Sequence, residues 1–386
     1  MNRRTLPHLF FAIFLLATAT LAYIWPFAEW DALAYIGCAI ALHEPNAETM
    51  HAQVYDEARN GYSEDAVDEL ANGSAFRHDV AGNANHFAQQ LPFYRVRPIY
   101  IRLIAGLHRL GVTYVHAVQL VSALSFALFG ILVFRWAAAY VSTRVAAIGS
   151  ALLLVTPGSF AAARTGTPDM LSSVALLWGT YLLVERQRAV LGPVVLAASV
   201  WLRTDNSVYV GILLLWYAWA RRPSVRISRA LSIGLLVAVL ASVLGINYAA
   251  HTYGWRILMQ NTAEAITAPA ETVPSFGPTG YLYTWVDVVD QTRETTFLAF
   301  IFLAGLLLLA PPTPRKFREL TGVLLAAAAA RLMLFPHIED RYFVATYGIL
   351  GIAAMASLMR TLGHSHPDSR DEFAAQQIAA PIVISR

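Results

Sequence analysis

Apolar runs of about 17–22 residues recur along this 386-residue chain, and no other feature constrains the fold as strongly. A helix of that length crosses about 30 Å of hydrocarbon. Ten runs are read, at about 8–25, 114–135, 145–163, 169–185, 189–203, 205–220, 229–250, 295–311, 320–336 and 343–360. The fourth to sixth are short and their turns tight, so their boundaries are soft. Backbone groups in lipid must be satisfied within the chain, which makes long apolar runs helices rather than barrel strands. The expected fold is all-α: a polytopic integral membrane bundle of about ten spans.

Composition agrees with that reading. Hydrophobic residues make up 57% and charged residues 14%, against about 25% charged in a soluble domain. The formal charge of +3 is small and the basic residues fall in short clusters, so nucleic acid is not expected as a partner. The single cysteine, Cys38, excludes an internal disulfide, and no CxxC metal motif is present. Arg3-Arg4 before an apolar stretch, with Ala17-Thr-Ala19, has the look of a cleavable signal. The run continues through Leu21-Ala-Tyr-Ile-Trp25, and the segment reads as a retained anchor.

Basic clusters set the orientation. Arg3/Arg4, Arg135/Arg144, Arg186/Arg188, Arg221 to Arg229 and Arg315-Lys316-Phe-Arg318 occupy every second connection. Ten spans with both termini in the cytoplasm put all of them inside. Arginine is used almost to the exclusion of lysine, Lys316 being the only one, which associates with a bacterial genome and an inner (plasma) membrane. Residues 1–360 form the membrane domain, and 361–386 read as a disordered cytoplasmic tail.

Residues 26–112 make the main outer-face insertion. In 26–94 there are eleven acids and two bases, Arg59 and Arg77. Ala34–Leu42 and Glu64–Leu70 read as short helices at the interface, and Arg95 to Arg109 as a basic amphipathic helix too short to span.

Polar residues gather at the outer ends of several runs. Asp31 follows the first, beside Glu29 and Tyr35; Arg164 and Asp169 separate the third and fourth; Arg203 and Asp205 separate the fifth and sixth. His337-Ile-Glu339-Asp340-Arg341-Tyr342 separates the ninth and tenth, and Arg97 opens the amphipathic segment. Each has a plainer role open to it. Thr167-Pro168-Asp169 is a helix-start pattern, Arg203 and Asp205 can pair across a tight turn, and Arg341 with Tyr342 suits an interfacial anchor. Asp31 could be a solvated loop acid. Polar residues near the bilayer are nonetheless functional candidates. A carboxylate can take a proton from an attacking hydroxyl, and arginine forks bind phosphate oxygens in pairs while staying charged. An acid for the nucleophile and arginines for a leaving phosphate suit sugar transfer from a phospholipid carrier.

Three stretches resemble the C-type (GT-C) membrane glycosyltransferases, in the branch of protein mannosyltransferases and lipid A aminoarabinose transferases. They are Trp30-Asp31-Ala-Leu-Ala-Tyr35 after the first span, Arg164-Thr-Gly-Thr-Pro168-Asp169-Met-Leu heading a span, and Glu339-Asp340-Arg341-Tyr342 before the last. The likeness covers about residues 8–360. It implies a polyprenyl-phosphate-linked sugar as donor, an outer-face acceptor (lipid, glycan or protein), and inversion at the anomeric carbon. It makes Asp31 the catalytic base and Arg341 a holder of the lipid phosphate. Glu29, Tyr35, Arg97, Arg164, Asp169, Arg203, Asp205, Glu339 and Tyr342 are the further substrate-binding candidates. The chain departs from the family in having Glu29-Trp-Asp31 where an adjacent acid pair is usual, so Glu29 can share the role. Some relatives use a divalent cation, and no cluster here demands one. A transporter or flippase is the alternative, although no charged residue sits mid-span, Arg331 near an outer end being the nearest. A glycan ligase or polymerase would look the same in sequence.

Overall fold

The computed structural model describes residues 5–221 and 223–363. Arg3, Arg4 and nearly all of the expected tail lie outside these residues. Among the described residues the chain is all helical, with nineteen α-helices and no strand.

Helix α1 (Leu6–Ile24) begins on Pro7 and is apolar throughout. The insertion between the first two apolar runs follows as α2 (Trp30–Ile40), α3 (Ala47–Gly61), α4 (Glu64–Asn72), α5 (Ala75–Gly82), α6 (Ala84–Gln90) and α7 (Pro98–Arg109). Its helices start where the sequence supplies caps. The side chains of Asn46, Ser63, Ser74 and Asn83 each accept from a backbone N–H in the first turn. Next come α8 (Tyr114–Ala137), α9 (Thr143–Leu154), α10 (Pro157–Arg164), α11 (Asp169–Thr180), α12 (Leu191–Ala198), α13 (Asn206–Trp219) and α14 (Arg229–Ala249). Then α15 (Trp255–Glu264), α16 (Pro278–Glu294), α17 (Phe297–Leu309), α18 (Arg315–Leu334) and α19 (Val344–Thr361) complete the described chain.

Among the described residues four helices are long and apolar enough to cross a membrane, namely α1, α8, α14 and the segment Asp340–Thr361, and up to six spans result if each bent pair counts as one. The run expected at 145–163 is one such pair, bent by 64° between α9 and α10. Pro157 is the reason: it pushes Thr156 into an extended conformation and cannot continue the ladder. The other pair is α16 with α17, bent by 81°. The runs at 169–185, 189–203 and 205–220 are broken or short. The first ends in a π-helical turn (Tyr181–Glu185), the second in a 3₁₀ turn (Ser199–Trp201), and α13 has fourteen residues.

Two large buried clusters organise the described residues, beside a small third one of Val96, Ile246 and Ala250. One joins α1, α8 to α13 and α17 to α19; the other joins the insertion to the first turns of α8. Helix α2 corrects an expectation. It does not lie on a surface but is enclosed on all sides, with Ala32, Leu33, Ala34, Ile36, Ala39 and Ile40 fully buried. An apolar sequence all round the helix demands such enclosure. Helix α14 is the opposite case, since Val237, Leu240 and Leu244 are each about 60% exposed, as in a helix solvated by lipid.

The far ends of α8, α11 and α18 share a polar knot. Trp136 Nε1 and Lys316 Nζ each donate to Glu185 Oε2 at 2.9 Å, and the Tyr140 hydroxyl joins them. The site described next lies at the other ends of α11 and α18.

Candidate functional site

Asp31 occupies the first turn of α2, where its carboxylate emerges from the buried face of the insertion. The Tyr94 hydroxyl donates to its Oδ1 at 2.8 Å, and Arg341 Nη2 donates to its Oδ2 at 3.0 Å. This contact closes a separation of 310 residues and brings the turn after α1 against the turn before α19.

Arg341 is the hub. Its Nε pairs with Glu339 and stands 3.8 Å from Asp169 Oδ2. Asp169 is also paired with Arg203, which in turn grips Asp205 with two parallel bonds of 3.0 and 2.9 Å. Arg331 Nε lies 3.4 Å from the same Asp205. The Tyr342 ring is stacked among three guanidinium groups, with Arg203 and Arg331 each 4.6 Å and Arg341 5.3 Å from its centroid. A planar π-face between cations of this kind is favourable in a dry site. Arg97 lies beside Tyr35, 5.9 Å from its ring.

Local structure delivers each group. The turn 164–169 is held by Tyr100, whose hydroxyl donates to the Gly166 carbonyl at 2.7 Å, and Gly166 itself adopts φ +63, which disfavours a side chain. Thr167 donates to Asp169 Oδ2 at 2.6 Å, so this acid is bound on both sides rather than merely heading its helix. The 203–206 turn is fixed by Asn206, which bonds Ser172 and the Ser199 carbonyl. Asp340 turns away from the site and accepts from the Thr296 N–H and hydroxyl and from Tyr347. That leaves Glu339 and Arg341 directed inward. His337 Nε2 meets Glu339 Oε1 at 2.7 Å. Gly158 lets α10 approach this loop, since an added Cβ would stand 2.7 Å from that of Asp340.

Burial and charge act differently on the two flanking acids. Burial alone would raise Glu339, but the His337 hydrogen bond and the Arg341 guanidinium outweigh it and hold it at about 2. Burial raises Glu29 above the usual carboxylate range; Arg341 counteracts this while Asp31 and Glu339 add to it. Burial and the neighbouring Asp31 also push the Tyr94 phenol well up, which keeps it a donor.

Asp169, Arg203, Asp205, Arg331, Arg341 and Tyr342 line a cavity of about 60 Å³. That volume suits a few waters, so a larger ligand enters only if some of these pairs part. Two buried donors have no hydrogen-bond acceptor: Nη1 of Arg341, which lines the cavity, and Nε of Arg97, which lies outside its lining. Such donors are costly unless an acceptor meets them.

Of the residues singled out from sequence, Asp31, Asp169, Arg203, Asp205, Glu339, Arg341 and Tyr342 form one connected network. Glu29, Tyr35 and Arg97 border it. Arg164 is the exception. It stacks on Phe27 and Trp25, 3.7 and 5.0 Å from their rings, and donates to the Trp25 carbonyl at 2.6 Å. It ties α10 to the chain leaving α1 rather than facing the cavity. Tyr94 is the member that sequence reading missed, because nothing in a Leu-Pro-Phe-Tyr stretch marks a partner 63 residues away. Arg331 was visible only as a charge near a span end. Among the described residues no three His, Cys, Asp or Glu side chains are gathered to hold a metal ion.

Comparison with protein families, with characterised proteins and with solved structures finds no match to this chain.

Proposed function

We propose that this protein is a membrane glycosyltransferase of the GT-C type, moving a sugar from a polyprenyl-phosphate donor to an acceptor at the outer face. The observation that carries this reading is the Asp31–Arg341 pair, continuous with Asp169, Arg203, Asp205 and Arg331. An acid capable of taking a proton adjoins guanidinium groups suited to a departing phosphate.

In the proposed reaction Arg341, with its spare Nη1, and Arg97 take the donor phosphate. Arg341 thereby loosens its hold on Asp31. The freed carboxylate accepts the proton of an acceptor hydroxyl as its oxygen bonds to the anomeric carbon. The bond from that carbon to the phosphate oxygen breaks, and polyprenyl phosphate leaves with the electron pair, stabilised by Arg341. Attack opposite the leaving group inverts the anomeric centre. The ten-span arrangement with both termini in the cytoplasm of a bacterial inner membrane rests on the basic clusters. The candidate spans among the described residues number four to six, and the site and the Glu185–Lys316 knot lie at opposite ends of the same helices.

Lipid extracts compared by mass spectrometry, from cells with and without the gene, test this reading. A missing glycan decoration with build-up of one polyprenyl-phosphate sugar is expected; unchanged glycans and carrier lipids overturn it. Protein-dependent flux in liposomes without covalent product would favour the transporter instead.

A further inference from the structure

A second cleft, of about 290 Å³, opens away from the Asp31 network. Its walls are the ends of three helices: Cys38 and Leu42 at α2, Pro98 and Ile101 of α7, and Gly245, Ile246 and Ala249 of α14. Trp201 closes one side and is held there by its indole N–H, which donates to Ser242 Oγ at 3.2 Å. Two arginines stand among these apolar walls. Arg95 is half-buried against the Cys38 thiol and Arg102 is exposed. Among the described residues neither is in an ion pair, whereas Arg203, Arg331 and Arg341 of the Asp31 network all are.

Position adds to chemistry. Helix α14 is a candidate span whose apolar sides are largely uncovered, and the cleft lies at its C-terminal end. An amphiphile lying along α14 would bring its headgroup to this level. Its acyl chains would follow the exposed face of Leu240 and Leu244, while its phosphate would reach Arg95 and Arg102. Basic pockets between helices at the membrane surface bind anionic headgroups in this way. Gly245 leaves the space, because a Cβ there would meet nothing within 4 Å.

We propose that this cleft is a binding site for the phosphate headgroup of an anionic membrane phospholipid. The site is separate from the Asp31 network and does not depend on the reading of that network as a transferase. It is joined to it by one strand of chain, since Arg95 lies between Tyr94, which bonds Asp31, and Arg97, beside Tyr35.

The test is native mass spectrometry of the full chain released from nanodiscs containing equal phosphatidylglycerol and phosphatidylcholine. Wild type is expected to retain phosphatidylglycerol in clear preference. Arg95→Gln with Arg102→Gln should weaken retention by roughly fivefold per arginine, and Gly245→Leu should block it by filling the cleft. A thermal transition matching wild type shows that each variant is folded. Equal retention of the two lipids by wild type overturns the proposal, as does undiminished phosphatidylglycerol on either folded variant. Displacement of the lipid by an equal concentration of inorganic phosphate would also overturn it, by showing a free-anion site in which the membrane has no part.

Discussion

Replacing Asp31 with Asn separates chemistry from architecture at the point where they meet. The amide is nearly isosteric, and its oxygen can still accept from Tyr94, now at 2.8 Å from Oδ1. What is lost is one negative charge facing Arg341. Breaking a fully buried pair costs about 3–5 kcal/mol. Here the Asp31 side chain is 29% exposed, and Glu339 and Asp169 remain to balance Arg341. Solvent and those two acids reduce the expected cost to about 1–2 kcal/mol. Loss of a general base slows the reaction by about 10²–10⁴, or roughly 3–5 kcal/mol on the barrier. The two effects are therefore distinguishable. Reconstituted protein would be assayed for release of polyprenyl phosphate from the donor lipid, alongside a thermal transition in the same detergent. A transition slightly below wild type with turnover down at least a hundredfold is expected. Wild-type turnover in Asp31→Asn would refute the assignment of the base, whatever the stability.

Other perturbations have defined outcomes. Glu29 is a half-buried acid with a raised pKa, so its charge opposes folding at neutral pH and that penalty falls as the pH drops through the raised value. Glu29→Gln should thus raise the transition temperature at pH 7, with the gain vanishing in acid; a variant less stable at pH 7 would contradict this. Glu339 works in the other sense. Held at about 2 against an ordinary 4.5, it stabilises the fold above pH 4.5, and that contribution disappears as the pH falls toward 2. Glu339→Gln should flatten the acid limb of the stability profile, which thermal scans from pH 3 to 7 would detect. Gly158→Val forces a side chain into Asp340 and should cost about 1–3 kcal/mol, read as a lower transition. Arg164→Ala removes ring stacking worth about 0.5–1 kcal/mol, and turnover per folded molecule should stay at the wild-type level, since Arg164 faces Trp25 and Phe27.

Much of the scaffold is legible in the chain itself. The runs at 8–25, 114–135, 229–250 and 343–360 become helices within a few residues of those limits, because length and apolarity alone decide that a backbone in lipid closes its own hydrogen bonds. The amphipathic segment after Arg95 becomes α7 for a similarly local reason. Where tertiary packing competes, local reading falls short. No apolar run marks helix α16, because its sequence, with Asp287, Asp290 and Glu294, is too polar to signal burial. Yet it is anchored by Gln291 to Ile338 N–H and by Tyr281 to the Met333 carbonyl, contacts at sequence distances no pattern reveals.

The functional constellation divides along the same line. Which residues carry charge at the ends of the runs was written in the sequence, since a charged group is costly in hydrocarbon and collects where the runs stop. Which of those charges meet was decided by packing. Arg164 and Arg203 look alike in one dimension, each a basic residue in a short turn. One stacks on two aromatic rings beside α1, and the other is buried between Asp169 and Asp205. Helix packing set that difference, because an ion pair falls off with distance in space and takes no account of the 310 residues between Asp31 and Arg341.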